Sequence, residues 1–243
     1  MPFVLCPHYF YCTGNRVYII IGVESIIGYT ISMDGVEYLS LGIFILALLL
    51  AVSLHEAMHA YASNYLGDDT ARLMGRLTLN PLKHIDVFST IILPLLLFLG
   101  GLPVFGAAKP VVFNPNRVKY DEFGVALVAA AGPLTNLALA VVSGLSLRFV
   151  SIDVDVLQLF LELFFQINLG FFVFNMIPFP PLDGSRLLYA ISPDPIRDLL
   201  RRIESFGLVA VFAFILLFYS FISVFVGNAI GLIGNFIIGS QYF

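Results

Sequence analysis

The sequence predicts an all-α polytopic membrane protein, and three observations carry the prediction. Of 243 residues, 59% are hydrophobic and only 12% charged, where a soluble domain has about 25% charged and 45–50% apolar residues. Mean hydropathy is +0.96. Runs of the ~20 apolar residues that cross a hydrocarbon core recur along the chain. The same figures exclude a disordered chain, a coiled coil and a soluble globular enzyme. A net charge of −4 leaves no footprint for nucleic acid. Two cysteines, Cys6 and Cys12, are too few for a disulfide framework or a structural zinc module.

Residues 1–38 read as an extracytoplasmic cap: Val17–Ile31 is β-branched, too short to span, and carries Glu24. His8, between the cysteines, fits no standard ligand spacing. No signal-peptide pattern is visible, so insertion relies on the first true span. Residues 39–243 read as one membrane domain. Leu41–Leu66 is the first span, broken only by His55, Glu56 and His59 near its end. Val87–Ala108 is uncharged but holds Pro94, Gly100, Gly101 and Pro103. Phe123–Leu147 and Val156–Leu182 follow, the latter with Glu162 as its one charge before Asp183. In Ser205–Phe243, Phe206–Val226 is long enough to span; Gly227-Asn228 is expected to split off an interfacial or folded-back remainder. With no tryptophan, tyrosine supplies any interfacial belt.

Basic residues mark cytoplasmic loops. Loops 67–86 (Arg72, Arg76, Lys83), 109–122 (Lys109, Arg117, Lys119) and 183–204 (Arg186, Arg197, Arg201, Arg202) qualify, while 148–155 sets Arg148 against Asp153 and Asp155. Two cytoplasmic loops then flank Val87–Ala108, so this run is expected to enter and leave by one face, as a re-entrant segment turning near Gly100–Pro103. Such backbone is tolerated only when buried in protein or lining a wet cavity.

His55-Glu56-Ala57-Met58-His59 is an H-E-x-x-H motif. On a helix its histidines share one face and bind one metal, with Glu56 reaching the metal-bound water as general base. Ionisable groups in a membrane helix are costly and mark function. A catalytic zinc needs a third protein ligand and an open position. Asp183 ends its hydrophobic run on the same side as the motif, so the depths match, whereas Glu162 lies near the other end. Asp183 could instead cap a short helix over Ser185–Ile191. Arg72–Leu79 (Arg72, Leu73, Met74, Gly75, Arg76, Leu77, Thr78, Leu79) partly alternates apolar and polar residues. It is expected to form a small β-element whose edge pairs with an unwound substrate by β-augmentation.

With HEAMH in an apolar helix, Ala131-Gly132-Pro133-Leu134-Thr135-Asn136 and the N-x-x-P-x-x-x-x-D-G run from Asn175 to Gly184, the chain resembles the site-2 protease family of zinc intramembrane metalloproteases. The likeness is closest to the compact branch without a PDZ domain, through Gly67–Arg72, Gly75–Pro81 and Ala108–Val111. It covers about residues 40–225 and leaves out 1–38. It implies three antiparallel transmembrane helices around one zinc ion, at least one further C-terminal helix, and a prokaryotic plasma membrane with the active site towards the cytoplasm. The implied ligands are His55, His59 and Asp183, with Glu56 as base. Asn175 would orient or polarise the scissile carbonyl, a task suited to a neutral amide. Asn136 would pack the core, and Gly132-Pro133 would break or thin the third helix to fit it against the ligand helices. His84, oriented by Asp86, is either a group behind the metal site or an interfacial histidine at a helix cap.

The implied activity is regulated intramembrane proteolysis of a transmembrane protein substrate, with no nucleotide-binding regulatory domain. Two rivals stay open: a membrane zinc protease taking a glutamate (Glu122, Glu162 or Glu204) as third ligand, and a non-proteolytic zinc-binding or transport protein.

Overall fold

The computed structural model describes residues 35–84 and 111–239 and, between them, positions 86, 88, 92, 96 and 109. The described residues hold seven α-helices and no strand. The helices are α1 (Gly35–Tyr65), α2 (Thr70–Leu73), α3 (Asp121–Phe149), α4 (Asp155–Asn175), α5 (Gly184–Ile191), α6 (Asp194–Glu204) and α7 (Leu208–Ile238). Four stretches are long and apolar enough to cross a membrane: Leu39–Tyr65, Asp121–Phe149, Asp155–Asn175 and Val209–Ile238. The chain is a multi-pass membrane protein. Most of the cap lies outside the described residues, with Cys6, His8 and Cys12, although α1 already begins at Gly35. Nearly all of Val87–Ala108 lies outside them too.

Helices α1, α3 and α4 each pack against the other two, and α7 lies against α3 and α4. The face α1 buries follows a period of four: Ile43, Ala47, Ala51, His55, His59 and Ser63 are all buried. This stripe explains the close packing. Lipid tails are as apolar as leucine, so helices in a bilayer associate through tight contact of small residues. Ala47 and Ala51 let Leu163, Phe164 and Ile167 of α4 approach. Ala140 and Leu147 of α3 meet Phe165, Leu169 and Val173 of α4 and Ile237 and Ile238 of α7.

The chain leaves α1 and enters α3 at the same end of the bundle. The Lys119 N–H donates to Leu66 O at 2.8 Å, and the Lys109 N–H to His84 O at 2.8 Å. The Asn114 N–H donates to the buried Asp68 carboxylate at 2.7 Å, and Arg117 pairs with Asp69 at 2.8 Å. Those bonds tie together the loops on either side of Val87–Ala108, and make α1 and α3 antiparallel.

Three expectations need correction. Arg72–Leu79 is not a strand. Asp68 accepts the Thr70 N–H and hydroxyl, which seeds the turn α2, and Gly75 at φ 67° ends it in the left-handed conformation that favours glycine. The Arg76 guanidinium then folds onto Lys83 O, and residues 76–80 run on as loop. The third helix is not broken at Gly132-Pro133, because α3 runs through both. Nor does Gly227-Asn228 split the last helix. Helix α7 is continuous there and leaves helical geometry only at Phe218 (φ −115°, ψ 17°). A helical glycine costs about 1 kcal/mol, less than the several kcal/mol of a backbone group left without a partner in lipid.

Cysteines introduced at Asp69 and at Arg117, in chains with Cys6 and Cys12 replaced by serine, should both be modified by an impermeant maleimide from the same face of the membrane. Modification from opposite faces would contradict the shared end of α1 and α3.

Candidate metal centre

The buried stripe of α1 places His55 and His59 one turn apart with their rings edge to face, centroids 4.6 Å apart. The hydrogen bonds behind them fix where their lone pairs go. His59 Nδ1 stands 2.8 Å from the Val128 carbonyl oxygen. A carbonyl only accepts, so Nδ1 carries the proton and Nε2 of the neutral ring presents a lone pair. His55 Nδ1 stands 2.5 Å from Asn136 Oδ1, with the same result. The two Nε2 atoms meet at 3.0 Å.

Asp183 completes the group. Its Oδ2 lies 3.2 Å from His55 Nε2 and 3.4 Å from His59 Nε2. It stands at the start of α5 but makes no capping hydrogen bond, so the carboxylate serves the imidazoles rather than the helix end. Gly184 brings it there: a Cβ at 184 would stand 2.7 Å from the Ile177 carbonyl oxygen, so only glycine lets the loop after α4 close.

The three donors fit a zinc-sized cation. Arms of about 2.0–2.1 Å at tetrahedral angles set neighbouring ligand atoms about 3.3 Å apart, and the observed edges are 3.0, 3.2 and 3.4 Å. Room for the ion comes from Gly132 of α3. A Cβ there would stand 2.7 Å from His55 Nε2 and closer still to His59 Nε2. Gly132-Pro133 therefore acts through close approach, both residues being buried in an unbroken helix.

Glu56 is held apart from this group. Its Oε2 accepts the Val111 N–H at 3.0 Å, so the segment after Lys109 fixes the carboxylate beside the histidines. Asn175 ends α4, and its Nδ2 donates to Phe171 O at 3.1 Å; the structure does not bring it onto the three ligands. His84 is buried, with Nε2 at 2.9 Å from Thr78 O, and Asp86 is half-buried beside it in sequence; both belong to the loop that Lys109 joins. Of the rival glutamates, Glu204 is paired with Arg186 and Glu162 accepts from Gln158 at 2.8 Å. Among the described residues, His55, His59 and Asp183 are the group of this kind with metal-ligand spacing.

Asn168 of α4 was not singled out from sequence. Fully buried, it accepts from Asn136 Nδ2 at 2.7 Å. A polar amide in a transmembrane run was the available signal.

Residues 43–154 match the pattern of peptidase family M50. The chain is 35% identical over 173 residues to "Putative zinc metalloprotease YwhC" of Bacillus subtilis, covering 68% of this chain and 76% of that protein. It is 32% identical over 160 residues to "Putative zinc metalloprotease Rip2" of Mycolicibacterium smegmatis (63% of this chain, 60% of that protein). For the protein of the same name in Mycobacterium tuberculosis the figures are 31% over 152 residues, 59% and 56%. The chain thus spans less than two thirds of the two mycobacterial relatives. No solved structure matches. Asp183 lies beyond the family match, and the geometry brings it to the histidines.

Purified chains should separate the candidate third ligands by bound zinc. Asp183→Ala should lose at least nine-tenths of the metal and Glu204→Ala should keep it; the reverse would move the third ligand to Glu204. Gly132→Ala should lose zinc as fully as Asp183→Ala while the helical circular dichroism stays at the wild-type level.

Proposed function

The chain belongs to peptidase family M50, and from that premise we propose that it is an intramembrane zinc metalloprotease. It hydrolyses a peptide bond within or near a transmembrane segment of a membrane-protein substrate, as in regulated intramembrane proteolysis, with its site towards the cytoplasm. The observation that carries this reading is the convergence of His55, His59 and Asp183 beside a separately held Glu56. A closed structural site would use a fourth ligand and would have no need of Glu56.

His55, His59 and Asp183 hold one zinc ion. A zinc ion held there would supply Lewis-acid chemistry, making a water more acidic and polarising a peptide carbonyl. Glu56 takes a proton from the attacking water and returns it to the leaving amide nitrogen. The Val111 N–H on Oε2 keeps that carboxylate aimed. Asn175 turns from Phe171 O to the substrate carbonyl, where its N–H donates to the developing oxyanion without competing for the cation.

A transmembrane substrate must unwind before cleavage, and its freed N–H and C=O groups then need partners. Leu77–Leu79 provides them by pairing with the extended substrate. This segment is already non-helical, and Leu77 packs on the cluster of Ala60, which follows His59 in sequence, Ala71, and Val111, whose N–H holds Glu56.

Against a co-expressed single-span reporter, Glu56→Gln should reduce cleavage by about 10²–10⁴-fold with zinc retained. Asn175→Ala should reduce it about 10²–10³-fold, also with zinc retained. Leu77→Pro should impair cleavage at unchanged zinc content. Equal cleavage by wild type and Glu56→Gln would refute the protease reading.

A further inference from the structure

We propose that Asn168 is a positioning residue for the metal centre: a one-way chain of hydrogen bonds running Phe164 O, Asn168, Asn136, His55 fixes the His55 tautomer that turns a lone pair to the metal. The inference rests on the zinc reading above.

The direction of every link follows from its far end. Phe164 O is a backbone carbonyl and only accepts, so the Asn168 group 2.7 Å away is its Nδ2. That turns Asn168 Oδ1 towards α3, where it accepts from Asn136 Nδ2 at 2.7 Å. Asn136 Nδ2 also points to Ala51 O at 3.4 Å, a second acceptor-only partner on α1. Asn136 must then present Oδ1 to His55, which receives the Nδ1–H at 2.5 Å. Both amides are fully buried, so a reversed amide would set donor against donor at His55.

An amide is the right group for each relay position because it carries a donor and an acceptor on opposite arms. A ligating histidine is normally oriented through its second nitrogen. His59 gets this from a backbone carbonyl, Val128 O, which cannot be reversed. His55 gets it from a side chain, Asn136, which can rotate by 180° unless its own donor arm is engaged. Asn168 engages it. Without Asn168 only the long 3.4 Å contact to Ala51 O opposes rotation of the Asn136 amide, which then offers Nδ2 to His55, whose proton moves to Nε2 and faces the metal.

The test is a double-mutant cycle read as zinc affinity by chelator competition, using the full chain in detergent. Four chains are compared: wild type, Asn168→Leu, Asn136→Asp and the double variant. Asn168→Leu should weaken zinc binding by about 10–100-fold. In Asn136→Asp both carboxylate oxygens accept, so nothing needs orienting, and adding Asn168→Leu should change affinity by less than about threefold. A purely packing role for Asn168 would cost the same in both backgrounds, and that result, or wild-type affinity in Asn168→Leu, would overturn the proposal. Asn168→Ala carries the same expectation if the leucine chain does not fold. A wild-type chain that binds no zinc would instead refute the metal reading itself.

Discussion

Three acceptors meet at one point inside an apolar bundle, and the rest of the architecture answers to that convergence. Two imidazole nitrogens and a carboxylate oxygen separated by 3.0–3.4 Å repel one another unless positive charge lies among them. A charged group at membrane depth costs several kcal/mol unless it is paired. The bundle therefore both creates the group and confines it. The α1 stripe brings the histidines in, Gly132 leaves space where the lone pairs point, and Gly184 lets the third ligand arrive from a loop.

The match between α1 and α3 is one of register. On α1 the candidate ligands are His55 and His59. On α3 the residues facing them are Asn136, Gly132 and Val128, also four apart and running the opposite way. Each end of this α3 triplet supplies an acceptor for one Nδ1, and its middle supplies absence of side chain for both Nε2 atoms. Two antiparallel helices with the same spacing thus set two ring orientations and a cavity with three residues. A shift of one residue would put the Cβ of Ala131 or Pro133 where Gly132 leaves room for the metal.

Much of this was legible in sequence because its signals are local. Apolar runs gave the spans, H-E-x-x-H gave two candidate ligands and a candidate base, and the depth of Asp183 relative to His55 and His59 made it a candidate third ligand, which the structure brings beside the two histidines. What escaped depends on contacts between distant segments. Asn168 reads as one polar residue in an apolar helix until Asn136 is seen against it. Gly132 reads as a place where the third helix is broken or thinned to fit the ligand helices, and the imidazoles beside it show that it thins the helix. The alternation at Arg72–Leu79 suggested a strand, yet Asp68, fixed by Asn114 from far along the chain, favours a helical turn first. The continuity of α7 through Gly227 reflects the demand of a lipid environment for internal hydrogen bonds, which outweighs glycine's preference.

The division of the ligands between a helix and a loop also decides how metal and fold are coupled. In small zinc modules the metal supplies the folding energy, and removing it unfolds the chain. Here the apolar contacts lie elsewhere: Ile43, Ala47 and Ala51 against Leu163 and Ile167, and Ala140 and Leu147 against Phe165, Leu169 and α7. Those contacts hold α1, α3, α4 and α7 together without the site. His55 and His59 are fixed to this framework by Asn136 and Val128 whether or not a cation is present. Asp183 alone joins from the α4–α5 loop, so its attachment is what a bound cation strengthens. The framework supplies preorganisation and the loop closes the site, which confines the consequence of metal loss to one end of the bundle.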